Sequence, residues 1–290
     1  MKKILLLLVF SFSLSFSQQN YEYIGAIKLN GDKKTIITYR IFFSVNNGKI
    51  NGFSITDFLG DHETKNKISG TYNSKTKEIQ FKEENILYTK SPLSKDSFCF
   101  VNFAGRVKLV DDNNKLSGNF KGLFQNKSKC IDGSLELFGI KKIEKIATKF
   151  KEKIQKSKKV EQSIKDNFNP ISILDSLKVN SLTKNQNLNI FVSSNEIEIE
   201  VWDAKIEDGD RIDLFHNTRR ILDNIEVTNK KKTIKVNLIE NENKFKIVAL
   251  NEGERTLNTA MIRLIDGDRN FELTTNLKKG ETTSITIIKN

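Results

Sequence analysis

Histidine, cysteine, proline and tryptophan are scarce in this 290-residue sequence, which contains two, two, two and one of them, respectively. With two histidines, general bases for catalysis are few. His62 lies in a polar loop and His216 lies beside Asn217 at a predicted hairpin tip. Neither belongs to a Gly-x-Ser-x-Gly or Cys-His arrangement. They fall in different regions and no His-Glu-x-x-His motif is present, so a shared zinc site is not expected.

Other catalytic motifs are also missing. The sequence has no glycine-rich phosphate loop. A glycoside hydrolase needs only two well-placed carboxylates, which leave no local sequence motif. We therefore interpret the chain as a non-enzyme, with a carboxylate-dependent hydrolase as the alternative.

A long apolar run is found only at the start of the chain. Residues 4–16 follow two lysines and precede a polar boundary at Ser17 and Gln18. This order is typical of a secretory signal peptide, which we predict over residues 1–18. The alternative, a membrane anchor, needs about 20 apolar residues. No cysteine follows the predicted cleavage site, so we expect a periplasmic or secreted protein without a lipid anchor.

The two cysteines, Cys99 and Cys130, lie in strand-like runs of the same region. In an exported protein such a pair favours a disulfide, and the runs suit a bridge between strands. A bridge requires Cα atoms within about 7 Å, which the sequence does not fix. We predict a Cys99–Cys130 disulfide, with two free thiols as the alternative.

Positive charge is concentrated in one segment. The formal net charge is +12, and residues 141–170 contain ten Lys or Arg against four Asp or Glu. Only Phe150 and Phe168 supply aromatic rings there. A basic run without interleaved aromatic residues is more typical of a solvated face than of a nucleic-acid site. Nucleic acid is therefore not an expected partner.

The same segment, residues 141–170, is predicted to form a basic amphipathic helix and linker that connects two β-modules. Its apolar residues recur near the helical period: Ile143, Ile146, Ala147, Phe150, Ile154, Val160 and Ile164. Pro170 is expected to end it. Three interpretations stay open: the apolar stripe packs on a β-module, rests on an anionic membrane as a peripheral contact, or docks in a partner's groove.

Residues 19–140 carry a repeated pattern typical of β-hairpins. A polar turn precedes a lysine and an apolar residue, and a glycine follows two positions later. The copies begin at Lys49, Lys67, Lys115 and, with one residue inserted, Lys129. Glycine inside a strand marks a bend or a close approach of two backbones. Glycines at one level of successive hairpins predict a curved β-meander or a small barrel.

Residues 171–290 contain short strand-like runs separated by turn signals such as Asp208-Gly209-Asp210. The runs are 189–192, 196–202, 211–215, 233–238, 244–250, 260–265, 270–274 and 283–288. This spacing predicts an immunoglobulin-like β-sandwich. The expected fold class is thus mainly β, with two β-modules and a helical segment between them.

An acidic loop in this last region is the best candidate for a ligand site. Four carboxylates lie within eight residues around Gly209: Asp203, Glu207, Asp208 and Asp210. Oxygen-rich loops with a glycine bend suit Ca²⁺, which takes about 6–8 oxygen ligands. A later loop could close on the same end of the sandwich with Asn251, Glu252 and Asn258. The alternative to a calcium site is a tight turn whose acids cap backbone amides.

A resemblance to a known module covers about the last 100 residues. It is carried by four stretches, 201–212, 232–238, 249–253 and 257–260. Together they resemble a β-sandwich module found at the C-terminus of exported proteins of Gram-negative bacteria. Leu257 departs from the proline expected before Asn258 in that module. The resemblance implies an extracytoplasmic accessory module and no particular reaction. The N-terminal half resembles lipocalin-like barrels in its pattern alone.

Taken together, these features predict an exported, non-catalytic binding or structural protein of the cell envelope. The N-terminal module would supply a ligand cavity or a docking face. The expected partner is a ligand or an envelope protein, and an accessory subunit of an envelope complex is a further alternative. Calcium is the one cofactor that the sequence indicates.

Overall fold

The computed structural model of the protein describes residues 19–31, 35–57, 62–109, 114–170, 180–203, 207–253 and 257–289. The predicted signal peptide, residues 1–18, lies outside these ranges. The described chain is mainly β, as the sequence predicts.

The first eight strands form a closed antiparallel barrel, which confirms one of the two predicted alternatives for this region. They are Gln19–Leu29 (β1), Ile36–Asn46 (β2), Lys49–Asp57 (β3), Thr64–Asn73 (β4), Glu78–Thr89 (β5), Phe100–Arg106 (β6), Lys115–Leu123 (β7) and Gly133–Gly139 (β8). Each strand pairs with the next one along the chain, and β8 pairs with β1 to close the barrel. Closure pairs the edges that a flat sheet would expose.

Two glycines of the repeated pattern let neighbouring strands of the barrel come close together. A Cβ added at Gly52 would lie 1.9 Å from the carbonyl oxygen of Phe42. A Cβ added at Gly70 would lie 2.0 Å from the carbonyl oxygen of Gln80. Only glycine fits where two backbones approach in this way. The close approach that the repeats predict is therefore confirmed at these positions.

Apolar side chains fill the barrel at the end where β1 begins and β2 ends. Tyr21 and Tyr23 of β1 stack on Phe43 of β2, with ring centroids 5.4 and 6.1 Å apart. Ile68 of β4 and Leu116 of β7 are fully buried in the same cluster. In the first half of β5, inward-facing buried residues alternate with exposed ones, as in a strand that is buried on one face.

Two helices follow the barrel: Ile140–Lys156 (α1) and Gln162–Asn167 (α2). Ile140 is buried at the barrel, but Ile146, Phe150 and Ile164 are each about half exposed, at 54%, 50% and 53%. The packing of the apolar stripe on a β-module, one of the three interpretations, is thus not seen at these residues. The buried residue of α1 is Ile140, at its first position, and the helix contacts β1 and β8 of the barrel. The role of the segment as a connector stays a prediction.

Ten further strands form two sheets. They are Asn180–Leu182 (β9), Asn187–Val192 (β10), Glu196–Trp202 (β11), Arg211–His216 (β12), Arg219–Glu226 (β13), Lys232–Asn237 (β14), Glu242–Ala249 (β15), Met261–Asp266 (β16), Arg269–Thr275 (β17) and Thr282–Lys289 (β18). The strand orders are β13-β12-β15-β18-β10 and β14-β11-β16-β17-β9. Buried residues of both sheets, such as Phe245 and Leu264, belong to one hydrophobic cluster. The immunoglobulin-like assignment stays a prediction.

The barrel and the first of these sheets are hydrogen-bonded to each other. Strand β5 pairs antiparallel with β10, with Tyr88 opposite Ile190. Ile86 and Phe100 from the barrel pack with Phe191 from β10 in a small buried cluster. The two halves of the chain therefore share a sheet and a patch of apolar contact.

Candidate ligand cavity in the barrel

A cavity of about 470 Å³ lies at the end of the barrel where β1, β3, β5 and β7 end. This volume falls within the range of about 300–1,000 Å³ that is usual for small-molecule sites. Apolar side chains supply much of the lining, including Ile27, Ile37, Leu93, Phe98, Val101 and Phe120. Such a lining, with a few convergent polar groups, is the usual composition of a site for a small organic ligand.

The polar floor of the cavity is built around Glu83. Its Oε1 accepts a 3.0 Å hydrogen bond from the hydroxyl of Tyr39 and a second one from the hydroxyl of Ser54. Its Oε2 accepts a 2.7 Å hydrogen bond from the backbone N–H of Val101. The side chain of Asn66 is a further hydrogen-bond partner. The carboxyl group is therefore held by donors from several strands of the barrel.

Burial has the largest effect on the pKa of the Glu83 carboxyl group. It raises the pKa of Glu83 above its ordinary value, although hydrogen bonds from Ser54, Val101, Tyr39 and Asn66 favour the charged form. Burial, reinforced by the charge of Glu83, also raises the pKa of Tyr39 well above its ordinary value. The Tyr39 hydroxyl therefore keeps its proton and acts as a hydrogen-bond donor to the carboxyl group.

An irregularity in β5 accompanies this arrangement. The pairing of β4 with β5 shifts register next to the Ile68–Glu83 pair and again near Asn66. Such β-bulges re-aim side chains and are frequent near functional sites. The sequence interpretation missed Glu83, although a signal exists: Ile79, Phe81 and Glu83 alternate, so a carboxylate stands where an inward apolar residue is expected.

One acceptor in the cavity wall has no donor within the described part of the chain. The Oδ1 atom of Asn66 is buried and accepts no hydrogen bond there. Asn66 lines the cavity, and 5% of its surface is exposed. A buried polar atom without a partner needs an explanation, and a bound ligand or water is one.

The predicted disulfide is confirmed and lies at the rim of this cavity. Cys99 and Cys130 are bonded, and their Cα atoms are 6.0 Å apart. The bond joins the segment before β6 to the segment before β8, and Cys99 itself lines the cavity. The crosslink therefore ties two loops together at the open end of the barrel.

The two histidines lie in different places, as expected. His62 is exposed and contributes to the cavity rim. His216 stacks on Phe245, with ring centroids 4.7 Å apart, and its Nε2 lies 3.1 Å from Oδ1 of Asn243. The second environment is that of a packed structural side chain.

The four predicted calcium ligands differ in their burial. Asp203, Asp208 and Asp210 are buried, whereas Glu207 is exposed and its Oε1 accepts a hydrogen bond from the backbone N–H of Asn229. Burial raises the pKa of Asp210 to about 6, and the charges of Asp208 and Asp203 add to this effect.

Of the later loop, Asn258 contacts the acidic loop and Glu252 forms a hydrogen bond elsewhere. Asn258 donates a 3.1 Å hydrogen bond to the carbonyl oxygen of Arg211, so it lies beside Asp210 as expected. Glu252 instead accepts a hydrogen bond from the backbone N–H of Lys279. Among the described residues, no three His, Cys, Asp or Glu side chains form a group that could hold a metal ion. The calcium site thus stays a prediction.

None of the helices in the described ranges has the length and apolar character required to cross a membrane. No protein-family model, curated protein or solved structure matches this chain.

Proposed function

We propose that the protein binds one small, mainly apolar ligand with a hydrogen-bond donor in the open half of the barrel. The observation that carries this proposal is the buried Oδ1 atom of Asn66, which accepts no hydrogen bond within the described ranges. A buried acceptor without a donor costs about 1–3 kcal/mol, and an O–H or N–H of the ligand removes that cost. Eight-stranded barrels can hold one small ligand.

Catalysis is not part of this proposal. The donors around Glu83 hold its carboxyl group as a structural centre that positions Asn66 and Tyr39. A carboxylate-dependent hydrolase, the alternative predicted from the sequence, lacks a comparable supporting observation. It is tested by incubating the protein with a panel of glycans.

We also propose a location in the periplasm or outside the cell. The Cys99–Cys130 disulfide supports this location, because disulfides are rare in reducing compartments. The predicted signal peptide and the resemblance of the C-terminal strands to a module of exported proteins agree with it. The test is fractionation of the cells that produce the full-length chain, with a cytoplasmic enzyme as the marker.

The ligand proposal is tested with a matched pair of fluorescent probes, 2-naphthol and 2-methoxynaphthalene. They have nearly the same apolar body, but only 2-naphthol has an O–H to donate. We expect the protein to bind 2-naphthol about tenfold more tightly, the value of one hydrogen bond. Equal affinities for the two probes would contradict the role of Asn66.

Two variants make this experiment specific. Asn66→Leu removes the acceptor and should bring the two probe affinities together. Asn51→Leu makes the same chemical change at an exposed position of β3 and should keep the tenfold preference. Circular dichroism of both variants checks that the barrel is intact, since Asn66 is also a hydrogen-bond partner of Glu83.

A second proposal concerns α1 and α2. We propose that these helices rest on an anionic membrane surface, because exposed Ile146, Phe150 and Ile164 lie in the lysine-rich segment 141–170. Apolar residues beside clustered lysines favour binding to anionic lipid headgroups. An envelope protein that takes the same surface is the other outcome of the test.

The membrane proposal is tested by co-sedimentation with vesicles. We expect binding to phosphatidylglycerol vesicles and not to phosphatidylcholine vesicles. The pair Ile146→Ser and Phe150→Ser should abolish binding, whereas Ile239→Ser, at an exposed isoleucine outside the two helices, should not. If neither vesicle is bound and crosslinking in the cell envelope recovers one stoichiometric protein, an accessory subunit is the better interpretation.

A further inference from the structure

Three carboxylates of the acidic loop are buried together in the C-terminal half. Asp203 is 4% exposed, Asp208 is 9% exposed and Asp210 is fully buried. Asp208 and Asp203 lie close enough to Asp210 for their negative charges to act on it. Neither Asp208 nor Asp210 forms a salt bridge within the part of the chain that the structure describes. Buried charges are normally paired with a cation or bound to a metal ion.

Asparagines of the later loop hold it against the acidic loop. The side-chain amide of Asn251 donates a 2.7 Å hydrogen bond to the carbonyl oxygen of Gly209, and its Oδ1 accepts one from the backbone N–H of Arg211. The amide of Asn258 donates to the carbonyl oxygen of Arg211. The turn with Asp208 and Asp210 is thus fixed on one side by two asparagines.

Oxygen atoms in this arrangement have no hydrogen-bond donor. The Oδ1 atoms of Asp208, Asp210 and Asn258 are all buried and accept no hydrogen bond from the described residues. These three acceptors belong to two loops that are hydrogen-bonded to each other. Because buried polar groups are otherwise satisfied, they indicate a site for a cation. The amide oxygen of Asn258 is an observation independent of the acidic cluster.

A tight turn with capping acids does not account for these atoms. The Oδ2 atom of Asp210 does cap a backbone amide, since it accepts a 2.6 Å hydrogen bond from the N–H of Thr259. The other oxygen of the same carboxylate has no such partner in the described chain. Capping therefore explains one side of this carboxylate only.

We propose that Asp208, Asp210 and Asn258 supply oxygen ligands to a Ca²⁺ ion bound at this place, with Asp203 adding negative charge. Calcium suits the donor set because it is a hard cation that takes carboxylate and amide oxygens in flexible geometry. Among the described residues, His, Cys, Asp and Glu side chains alone do not form a metal-binding group. The proposed ligand set therefore includes the buried amide oxygen of Asn258. This assignment drops Glu207, which the sequence suggested. It does not depend on the proposed function of the barrel.

The test uses the full chain after treatment with EDTA and dialysis into metal-free buffer. Calcium chloride is titrated into it by isothermal titration calorimetry, and thermal melting is followed with and without millimolar calcium. We expect a dissociation constant of about 10⁻⁴–10⁻³ M, as in other extracellular modules, and a higher Tm with calcium. Absence of both binding heat and a Tm shift would overturn the proposal.

Variants locate the site. Asp208→Asn and Asp210→Asn should each weaken calcium binding at least tenfold, whereas Glu207→Gln should bind like the unmodified chain because Glu207 faces Asn229. Circular dichroism and the fluorescence of Trp202, which lies in the C-terminal half, serve as the folding check for each variant. If Glu207→Gln loses binding while the two aspartate variants keep it, the site is elsewhere. Equal affinity for Mg²⁺ would overturn the assignment to calcium.

Discussion

The hydroxyl of Tyr39 donates a 3.0 Å hydrogen bond to Oε1 of Glu83 in the middle of the barrel. Tyr39 is on β2 and Glu83 is on β5, so the bond spans the interior between strands that are not neighbours in the sheet. Tyr39 belongs to the apolar cluster that fills one end, whereas Glu83 lines the cavity at the other. The pair therefore marks the boundary between the packed half and the open half.

The first prediction concerns the pH dependence of stability. Burial raises the pKa of Glu83 above 4.5 in the folded state. Its contribution to the unfolding free energy is therefore fully present below about pH 4.5 and is lost as the pH rises through the folded pKa. Glu83→Gln lacks this titration, so we expect the stability of the unmodified protein, relative to this variant, to fall as the pH rises from 4.5. Urea unfolding of both proteins at several pH values measures the difference.

A neighbouring residue supplies the control for this experiment. A hydrogen bond from Ser69 is the main cause that lowers the pKa of Glu84, so its contribution is present above about pH 4.5 and is lost on acidification. Relative to Glu84→Gln, the stability of the unmodified protein should thus rise with pH. The same trend in both comparisons would contradict the assignment for Glu83.

The second prediction concerns a glycine that allows the barrel to curve. Gly52→Ala places a methyl group against the carbonyl oxygen of Phe42, so we expect the unfolding free energy to fall by more than about 2 kcal/mol. Gly267→Ala is the matched control. At Gly267 the added methyl group meets no heavy atom within 4 Å, but the φ of +58° is unfavourable for alanine. Gly267→Ala should therefore lower the unfolding free energy by about 1 kcal/mol. Equal losses would show that backbone crowding at Gly52 is unimportant.

The third prediction concerns the Cys99–Cys130 disulfide. The bond closes a loop with a sequence separation of 31, for which chain entropy gives a stabilisation of about 3–4 kcal/mol. The double change Cys99→Ser and Cys130→Ser should remove this amount, as measured by urea unfolding. It should also weaken 2-naphthol binding, because the crosslink joins two loops at the cavity rim. Binding that survives unchanged would show that the rim is held by other contacts.

Periodicity in the sequence predicted most of the strands, but it did not predict the cavity around Glu83. The glycine repeats predicted the curved sheet because strand curvature depends on local backbone crowding. The edge strand β13 was missed, since among its residues only Leu222 is buried and four are charged. Edge strands bury little, so alternation of apolar residues does not mark them.

The candidate site depends on contacts between residues that are distant in sequence. Glu83 acquires its partners only when β2, β3, β4 and β6 surround it, which no local pattern encodes. Likewise, Glu207 looked like a calcium ligand by spacing, yet its side chain hydrogen-bonds to Asn229. The disulfide was predictable because the chain has only two cysteines, so their pairing needed no register.

The last prediction concerns the junction of the two halves. Phe191 is buried against Ile86 and Phe100 of the barrel, beside the paired strands β5 and β10. Phe191→Ala should cost about 3–5 kcal/mol, because it leaves a cavity at this contact. In the unmodified protein, unfolding followed by the fluorescence of Trp202 and by the near-ultraviolet signal of the barrel tyrosines should share one midpoint.

In Phe191→Ala we expect the two midpoints to separate, since Trp202 lies in the C-terminal half and the fully buried Tyr23 and Tyr39 lie in the barrel. Ile239→Ala, at a side chain that is 85% exposed, should leave both midpoints unchanged. Separate midpoints in the unmodified protein would mean that the shared sheet does not couple the two halves. Coincident midpoints in Phe191→Ala would assign the coupling to the β5–β10 hydrogen bonds alone.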